Sequence, residues 1–245
     1  MNIRDQLGVS CVGWPIINYK NISEVGEHFI NVNRIMSCIE IPYIPYDWIP
    51  QFQQLVKENA ITIYSMHLPK RMISESKYIQ QCLFYTIQRA VSMFHIKCLI
   101  IHPWDNIVED NVISEFMNKL LRININISIE LTNTKFLQQL DTYLINDKIG
   151  LTIDFSHYVR LFGKNMYELN HLPISHIHLR GYLCDKRYAR ISESLDAIES
   201  FLSMVLKKGY LGKVILEYPY GTYESVKEDI KIMDLLFGES DEILF

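Results

Sequence analysis

Short runs of apolar, mostly β-branched residues alternate with longer amphipathic segments along the whole chain. Runs of this kind are typical of buried strands, and apolar residues at helical spacing are typical of helices that cover a core. The pattern predicts eight strands, over Leu7–Val12, Met36–Ile41, Ile61–Met66, Lys97–Ile101, Ile125–Leu131, Ile149–Ile153, Ser175–Leu179 and Val214–Leu216. The helices predicted between them cover Ser23–Val32, Asp47–Asn59, Glu75–Phe94, Glu109–Leu121, Lys135–Ile145, Val159–Leu169, Glu193–Lys208 and Glu224–Phe237.

Strict alternation of strand and helix predicts parallel strands joined by crossover helices. Eight such units within 245 residues favour a closed (β/α)₈ barrel, a TIM barrel, over an open doubly wound sheet, because one barrel has about this length. No GxGxxG or P-loop motif follows the first predicted strand, so the usual nucleotide-binding fingerprints are missing from that position. Because no low-complexity linker divides the sequence, we expect one α/β domain over residues 1–245.

Composition and charge narrow the class of protein. Hydrophobic residues make up 49% of the chain and charged residues 21%, which are ordinary values for a globular protein. The net charge is −4 and no run of Lys or Arg exceeds two residues, so we do not expect the protein to bind duplex nucleic acid. The five cysteines are scattered without a CxxC pair, and no apolar run suits a signal peptide or a membrane span. We expect a cytoplasmic protein with no membrane span and no cysteine-based zinc site.

Six consecutive predicted strands end in side chains that can bind a metal ion. In TIM barrels the loops that follow the strands form the active face. The residues are His67, His102, Glu130, Asp154 with His157 three positions later, His176 and His178 on one strand, and Glu217. Several buried carboxylates side by side need a balancing positive charge, and a divalent cation supplies it.

Two of these positions allow more than one interpretation. Asp154 has a structural alternative, in which it caps the following helix and His157 is an ordinary surface histidine. His176 and His178 lie on the same face of one strand, so the residues alone leave open which of them is a ligand.

Several segments resemble the xylose-isomerase-like TIM barrels, which include sugar isomerases, sugar epimerases and the endonuclease IV-type enzymes of AP endonuclease family 2. The segments are Ile101-His102-Pro103, Gly150-Leu-Thr-Ile-Asp154-Phe-Ser-His157, His176-Ile-His178-Leu and Val214-Ile-Leu-Glu217-Tyr-Pro. The resemblance runs from the third predicted strand to the eighth.

The resemblance implies a metal site with a defined set of ligands. It implies that a central ion is held by Glu130, Asp154, His178 and Glu217, with His176 behind them, and that a second ion is held by His67, His102 and Glu130. His157 then contacts the substrate or belongs to a third ion. The loop after the seventh strand contains Asp185 but lacks the histidine of the endonuclease pattern, so the resemblance does not extend to a complete third site.

The first functional hypothesis is a phosphoester or phosphodiester hydrolase with two bound ions. Two ions would activate a water molecule and stabilise the charge of an in-line displacement, with Glu130, Glu217 and His157 as catalytic residues. Candidate phosphate contacts are Lys70, Arg180, Lys186 and Arg187, although each could instead be a solvated loop charge. The substrate would be small or nucleotide-like, and phosphodiesterases that remodel cobamides offer a precedent in the superfamily.

The second hypothesis is a metal-dependent sugar or sugar-phosphate isomerase or epimerase with one ion. Glu130 and Glu217 would exchange a proton at a substrate carbon, and His67 and His102 would only line the pocket. Because these two histidines are present, we place hydrolysis first. A barrel that binds a metal or ligand without catalysis is a third possibility.

The histidines favour zinc, manganese or iron over magnesium. The sequence does not identify the substrate, the native metal or the oligomeric state.

Overall fold

The computed structural model describes residues 6–11, 22–103, 108–132, 143–163, 172–183, 186–217 and 223–237. The strands in these ranges are β1 (Leu7–Ser10), β2 (Ile39–Ile41), β3 (Ile63–His67), β4 (Cys98–Ile101), β5 (Asn126–Glu130), β6 (Ile149–Asp154), β7 (Ile174–Leu179), β8 (Gly181–Leu183), β9 (Lys186–Ala189) and β10 (Lys213–Glu217). The helices are α1 (Ile22–Asn33), α2 (Ile49–Glu58), α3 (Lys77–Phe94), α4 (Asp110–Leu121), α5 (Phe155–Phe162), α6 (Leu195–Lys207) and α7 (Tyr223–Phe237).

All of the described strands except β8 and β9 form one closed, entirely parallel barrel in the order β1-β10-β7-β6-β5-β4-β3-β2. The eight barrel strands correspond to the eight predicted ones, and the predicted α/β TIM barrel is confirmed. The expectation that residues 1–245 form a single domain stays a prediction. No helix in the described ranges is both long enough and apolar enough to cross a membrane.

The barrel interior is polar toward the ends of the strands. Glu40 on β2 contacts His67 on β3 and His178 on β7, and β2 and β7 are not neighbours in the sheet, so these side chains meet inside the barrel. The intervening positions, such as Ile127 and Ile129 on β5, are fully buried apolar residues. The alternation that the sequence shows along this strand therefore separates a polar interior from an apolar layer beneath the helices.

The helices agree with the predicted ones where the chain is described, with one informative shift. The predicted helix Val159–Leu169 begins earlier, as α5 at Phe155, because Asp154 at the end of β6 caps it directly. Residues 164–171 and most of the predicted helix Lys135–Ile145 lie outside the described residues. The barrel strand β6 and the helix α5 thus follow one another without a loop, which fixes Asp154 between them.

The antiparallel hairpin formed by β8 and β9 was not predicted. It follows β7 at once and folds back so tightly that a Cβ atom on Gly181 would lie 1.8 Å from the carbonyl oxygen of Arg190. Only glycine allows this approach, and the contact fixes the chain just after Arg180.

Candidate metal centre

The predicted ligands at the ends of β6, β7 and β10 come together. The register of β6 and β7 pairs Asp154 with His178, and β10 carries Glu217 on the other side of β7. Ligand atoms of Asp154, His178 and Glu217 lie within 4.8 Å of one another, as do those of Glu130, Asp154 and His157. The structure therefore collects five of the predicted site residues into two overlapping groups that share Asp154.

Several buried polar atoms in this cluster make no hydrogen bond of good geometry among the described residues, and two of them, Glu130 Oε2 and Asp154 Oδ2, have only an ion-pair contact, with His102 and Arg180 respectively. They are Glu130 Oε2, Asp154 Oδ2, His157 Nδ1, His178 Nδ1 and Glu217 Oε2. Burying polar atoms with so few partners is costly, and together these atoms offer the carboxylate oxygens and imidazole nitrogens that zinc, manganese or iron prefers. The residues present therefore fit a divalent cation.

One carboxylate oxygen of Asp154 caps helix α5, and the other faces the site. Its Oδ1 accepts hydrogen bonds from the backbone N–H of His157 at 2.9 Å and from Ser156 Oγ at 2.6 Å. Its Oδ2 faces the site and lies 2.6 Å from Arg180 Nη2. The helix-cap interpretation is thus correct without excluding the ligand interpretation, and the ligand role stays a prediction.

Arg180 lies inside the carboxylate cluster, although the sequence suggested a contact with the substrate. Its side chain is nearly buried, its Nε donates to Ser156 Oγ at 2.8 Å, and its Nη1 is 3.8 Å from Glu217 Oε2. Arg180 therefore supplies part of the positive charge that we had assigned entirely to a cation. Its role in binding substrate stays a prediction.

His67, His102 and Glu130 form a chain of contacts. His67 Nδ1 lies 3.1 Å from His102 Nε2, and His102 Nδ1 lies 2.5 Å from Glu130 Oε2. Because the two nitrogens of His102 point to different partners, the three side chains do not surround one common point in this arrangement. A second ion bound by these three residues stays a prediction.

Glu40 is the main site residue that the sequence interpretation missed. It lies within β2 rather than at the last position of a strand, and its side chain is completely buried. Its carboxylate contacts Ser65 Oγ at 2.7 Å, His67 Nε2 at 2.9 Å, His176 Nε2 at 3.1 Å and His178 Nε2 at 3.3 Å. We call these five residues the Glu40 cluster. An acid within the apolar run Cys38-Ile-Glu40-Ile could have revealed it.

The acids and histidines perturb each other's protonation strongly. Burial alone would raise the pKa of Glu40, but the neighbouring His178 and His67 bring it well below its usual range. Burial likewise opposes the ionised form of Glu130, but the hydrogen bond and charge of His102 lower its pKa. Burial lowers the pKa of His176 to about 4 against the pull of Glu40, so His176 is neutral at pH 7.

At pH 7 His178 is protonated and Glu217 is partly protonated, and a cation would replace these protons. Burial would lower the pKa of His178, but the facing Glu40 and Glu217 raise it to about 10. Burial and the nearby acids Asp154 and Glu130 raise the pKa of Glu217 to about 7. Because metal ligands must be deprotonated, binding of a cation would release such protons.

The other residues predicted to contact the substrate differ in where the structure places them. His157 is partly exposed, with Nδ1 3.6 Å from Glu130 Oε1 and Nε2 3.4 Å from Arg180 Nη2, and burial lowers its pKa. Lys70 is exposed on the loop after β3. Lys186 and Arg187 belong to β9, but their side chains lie outside the described part of the structure. Asp185 also lies outside it.

No family model and no curated protein sequence matches the chain. Solved structures do match it over most of its length. A D-tagatose 3-epimerase-like protein is 17% identical, with 98% of this chain and 100% of that chain covered and a TM-score of 0.69. A xylose isomerase-like TIM barrel protein from Mycobacterium smegmatis, in complex with magnesium, is 12% identical with 95% and 97% covered and a TM-score of 0.70.

An AP endonuclease of family 2 from Brucella melitensis is 15% identical, with 92% of this chain and 96% of that chain covered and a TM-score of 0.61. At such low identities the likeness establishes the fold alone. The resemblance to xylose-isomerase-like TIM barrels is therefore confirmed at the level of the fold, which metal-dependent enzymes of both kinds share.

Proposed function

We propose that this protein is a divalent-metal-dependent sugar or sugar-phosphate isomerase or epimerase. The observation that carries the proposal is the chain of contacts from His67 through His102 to Glu130. Both ring nitrogens of His102 are engaged, one by each neighbour, so these histidines serve to orient Glu130. Our reason for placing hydrolysis first was their availability for a second ion, and this arrangement weakens it.

One cation would be held by Glu130, Asp154, His178 and Glu217, whose buried oxygen and nitrogen atoms fit it. When bound, it would polarise the carbonyl of a hydroxy-ketone or hydroxy-aldehyde and make the adjacent C–H bond more acidic. Zinc, manganese and iron suit this mixed set of oxygen and nitrogen donors.

The protein residues would move the proton. Glu130 is nearly buried and fixed by His102, so it is suited to take a proton from the substrate carbon as a general base. Glu217 on β10, whose pKa is raised to about 7, would donate a proton of its own at the neighbouring carbon or on the opposite face, and both carboxyl groups would then exchange protons with water. His157 is partly exposed beside Glu130 and is placed to hydrogen-bond a substrate hydroxyl.

The substrate would be a small polyol with a carbonyl group, with or without a phosphate. The D-tagatose 3-epimerase-like protein among the similar structures supports this class. If a phosphate is present, Lys186 and Arg187 remain our candidates for binding it.

Phosphoester hydrolysis remains the second candidate, because of one specific contact. His67 Nδ1 and His102 Nε2 face each other at 3.1 Å, and a second ion held between them would recreate a two-metal site near Glu130. The AP endonuclease of family 2 among the similar structures is consistent with this alternative.

Metal counting and solvent isotope exchange would separate the two functions. For the isomerase we expect one zinc, manganese or iron ion per chain after purification without a chelator, a count that His102→Ala leaves unchanged. We also expect solvent deuterium to enter a carbon of one member of a panel of ketoses, aldoses and their phosphates. Two ions, one of them lost in His102→Ala, together with turnover of bis-p-nitrophenyl phosphate, would show hydrolysis instead.

A further inference from the structure

Glu40 is fully buried with contacts to both of its carboxylate oxygens, and the proposed reaction does not use it. Its two oxygens provide about four acceptor positions, and four donors occupy them. Ser65 Oγ, His176 Nε2 and His178 Nε2 contact Oε2, and His67 Nε2 contacts Oε1. A buried carboxylate is tolerated only when it is paired in this way.

This arrangement determines where the imidazole protons lie. Every histidine in the Glu40 cluster presents Nε2 to the carboxylate, and an ionised carboxylate only accepts hydrogen bonds. Each of these Nε2 atoms therefore carries a proton. In the neutral form of such a ring, Nε2 keeps its proton and Nδ1 has the free lone pair.

The Nδ1 atoms of His178 and His67 connect the Glu40 cluster to the residues of the proposed metal centre, the first directly and the second through His102. His178 Nδ1 is buried without a hydrogen bond and lies 3.8 Å from Glu217 Oε2. His67 Nδ1 contacts His102 Nε2, and His102 in turn contacts Glu130. One carboxylate on β2 thus supports both sides of the cluster: a ligand nitrogen through His178, and the general base through His67 and His102.

We propose that Glu40 is a positioning residue that holds His178 and His67 with Nε2 protonated, so that His178 presents Nδ1 to the cation and His67 supports the contact between His102 and Glu130. The inference rests on the cation site of the proposed function, although not on its chemical reaction. Carboxylate groups behind metal-bound histidines commonly fix the ring orientation in this way.

A competing interpretation is that Glu40 itself binds a second ion with His67 and His178, since ligand atoms of these three residues lie within 4.8 Å of one another. That interpretation requires lone pairs, and not protons, on both Nε2 atoms. The two possibilities therefore predict opposite protonation of the same nitrogens.

Proton–nitrogen correlation spectra of the full chain with isotope-labelled histidine, loaded with Zn²⁺, test the proposal without any substitution. We expect His178 with Nε2 protonated and Nδ1 bound to zinc, and His67 with Nε2 protonated. Finding Nε2 of His178 bound to the metal, or His67 protonated at Nδ1 instead, would overturn the proposal.

Glu40→Gln adds a quantitative test, because the amide keeps the shape of the side chain but places an NH₂ group against donors. We expect the Kd for Zn²⁺, measured by equilibrium dialysis, to rise about 10- to 100-fold, together with loss of the two Nε2–H signals. The exposed Glu115→Gln should change neither quantity. Two results would contradict a positioning role. One is an unchanged Kd in Glu40→Gln. The other is the complete loss, in this variant, of one zinc ion that the wild type binds.

These measurements are independent of catalysis. If zinc binding and protonation follow the expectation but no sugar exchanges a carbon-bound proton, the proposed function fails while the role of Glu40 stands. If sugars are turned over but Nδ1 of His178 carries a proton in the zinc form, the proposed function survives and this inference fails.

Discussion

Two groups of buried ionisable side chains lie within one barrel, and they are completed in opposite ways. In the Glu40 cluster a single carboxylate meets four donors. Around Glu130, Asp154 and Glu217, which we call the carboxylate cluster, three acids share Arg180 and nearby histidines. One buried oxygen of each has at most a single charged neighbour: His102 for Glu130, Arg180 for Asp154, and, only at 3.8 Å, Arg180 for Glu217. A group that the fold satisfies by itself supports structure, whereas a group that the fold leaves unsatisfied is prepared for a ligand.

The strongest test of this contrast is Glu130→Gln. We expect activity to fall about 10²- to 10⁴-fold, the usual contribution of a general base. The free energy of unfolding should fall, but by less than in Glu40→Ala: the substitution removes the ion pair with His102 that lowers the pKa of Glu130, and it also relieves repulsion from the neighbouring carboxylates. Steady-state kinetics and urea unfolding measure the two effects, and Glu115→Gln on the surface provides the matched control. A loss of several kcal/mol in stability would mean that the carboxylate cluster also supports the fold.

For Glu40→Ala we expect the larger loss of stability. Removing this carboxylate leaves three imidazoles and a hydroxyl group without their common partner, and breaking a buried ionic network of this kind costs about 3–5 kcal/mol. Urea unfolding of the metal-free protein measures the loss, with Glu217→Gln as the comparison from the carboxylate cluster. The contrast between the clusters breaks down if both variants lose the same amount of stability.

Asp154 caps helix α5 and is also a predicted metal ligand, so two different substitutions of it should separate the two roles. Asp154→Asn keeps a side-chain oxygen that can cap α5 but removes the charge, whereas Asp154→Ala removes both. We expect both variants to lose the rise in thermal stability that zinc gives the wild type. Without zinc, the alanine variant should be about 1 kcal/mol less stable than the asparagine variant. Equal stabilities would show that the cap contributes nothing.

Tyr210, next to the start of β10, belongs to neither cluster, and its substitution should have a smaller effect on stability. Its hydroxyl donates to the carbonyl oxygen of Lys213 at 2.7 Å, and Tyr210→Phe should cost about 1 kcal/mol at pH 7. Burial, with Tyr64 and Cys98 nearby, raises the pKa of Tyr210 well above its usual value. The unfolded chain therefore loses this proton first, and the wild type loses stability as pH rises above about 10.

Because phenylalanine has no such proton, the difference between the two proteins should narrow at alkaline pH. Thermal unfolding followed from neutral pH to about pH 11 would measure it. A constant difference would mean that Tyr210 ionises equally easily in the folded and unfolded chains.

The barrel was predictable because its signal is repeated. Eight apolar runs at regular intervals identified all the barrel strands, and a β strand needs only its alternating pattern to be recognised. The hairpin of β8 and β9 has no such signal. It depends on the close approach of Gly181 to Arg190, a contact between residues that the sequence does not show to be neighbours.

The candidate site was predictable at the ends of the third to the eighth strands, where the resemblance also applies. His67, His102, Glu130, Asp154, His178 and Glu217 were found because each ends or nearly ends a run of apolar residues. Glu40 was missed although it too stands one residue before the end of a predicted strand, because that strand, Met36–Ile41, precedes the stretch from the third to the eighth strand that carries the resemblance. The partner of Arg180 could not be predicted either, since a sequence gives the number of charges but not which of them pair.

The cap at the start of α5 has a consequence for the choice of ion. Two donors already occupy Asp154 Oδ1, so this carboxylate has only Oδ2, shared with Arg180, to offer a cation. A monodentate carboxylate suits a small ion with few ligands, whereas calcium is commonly held by six to eight oxygens and often by bidentate carboxylates. The first turn of an ordinary helix thereby limits the denticity of a ligand, and with it the coordination number and the size of the ion that the barrel would accept.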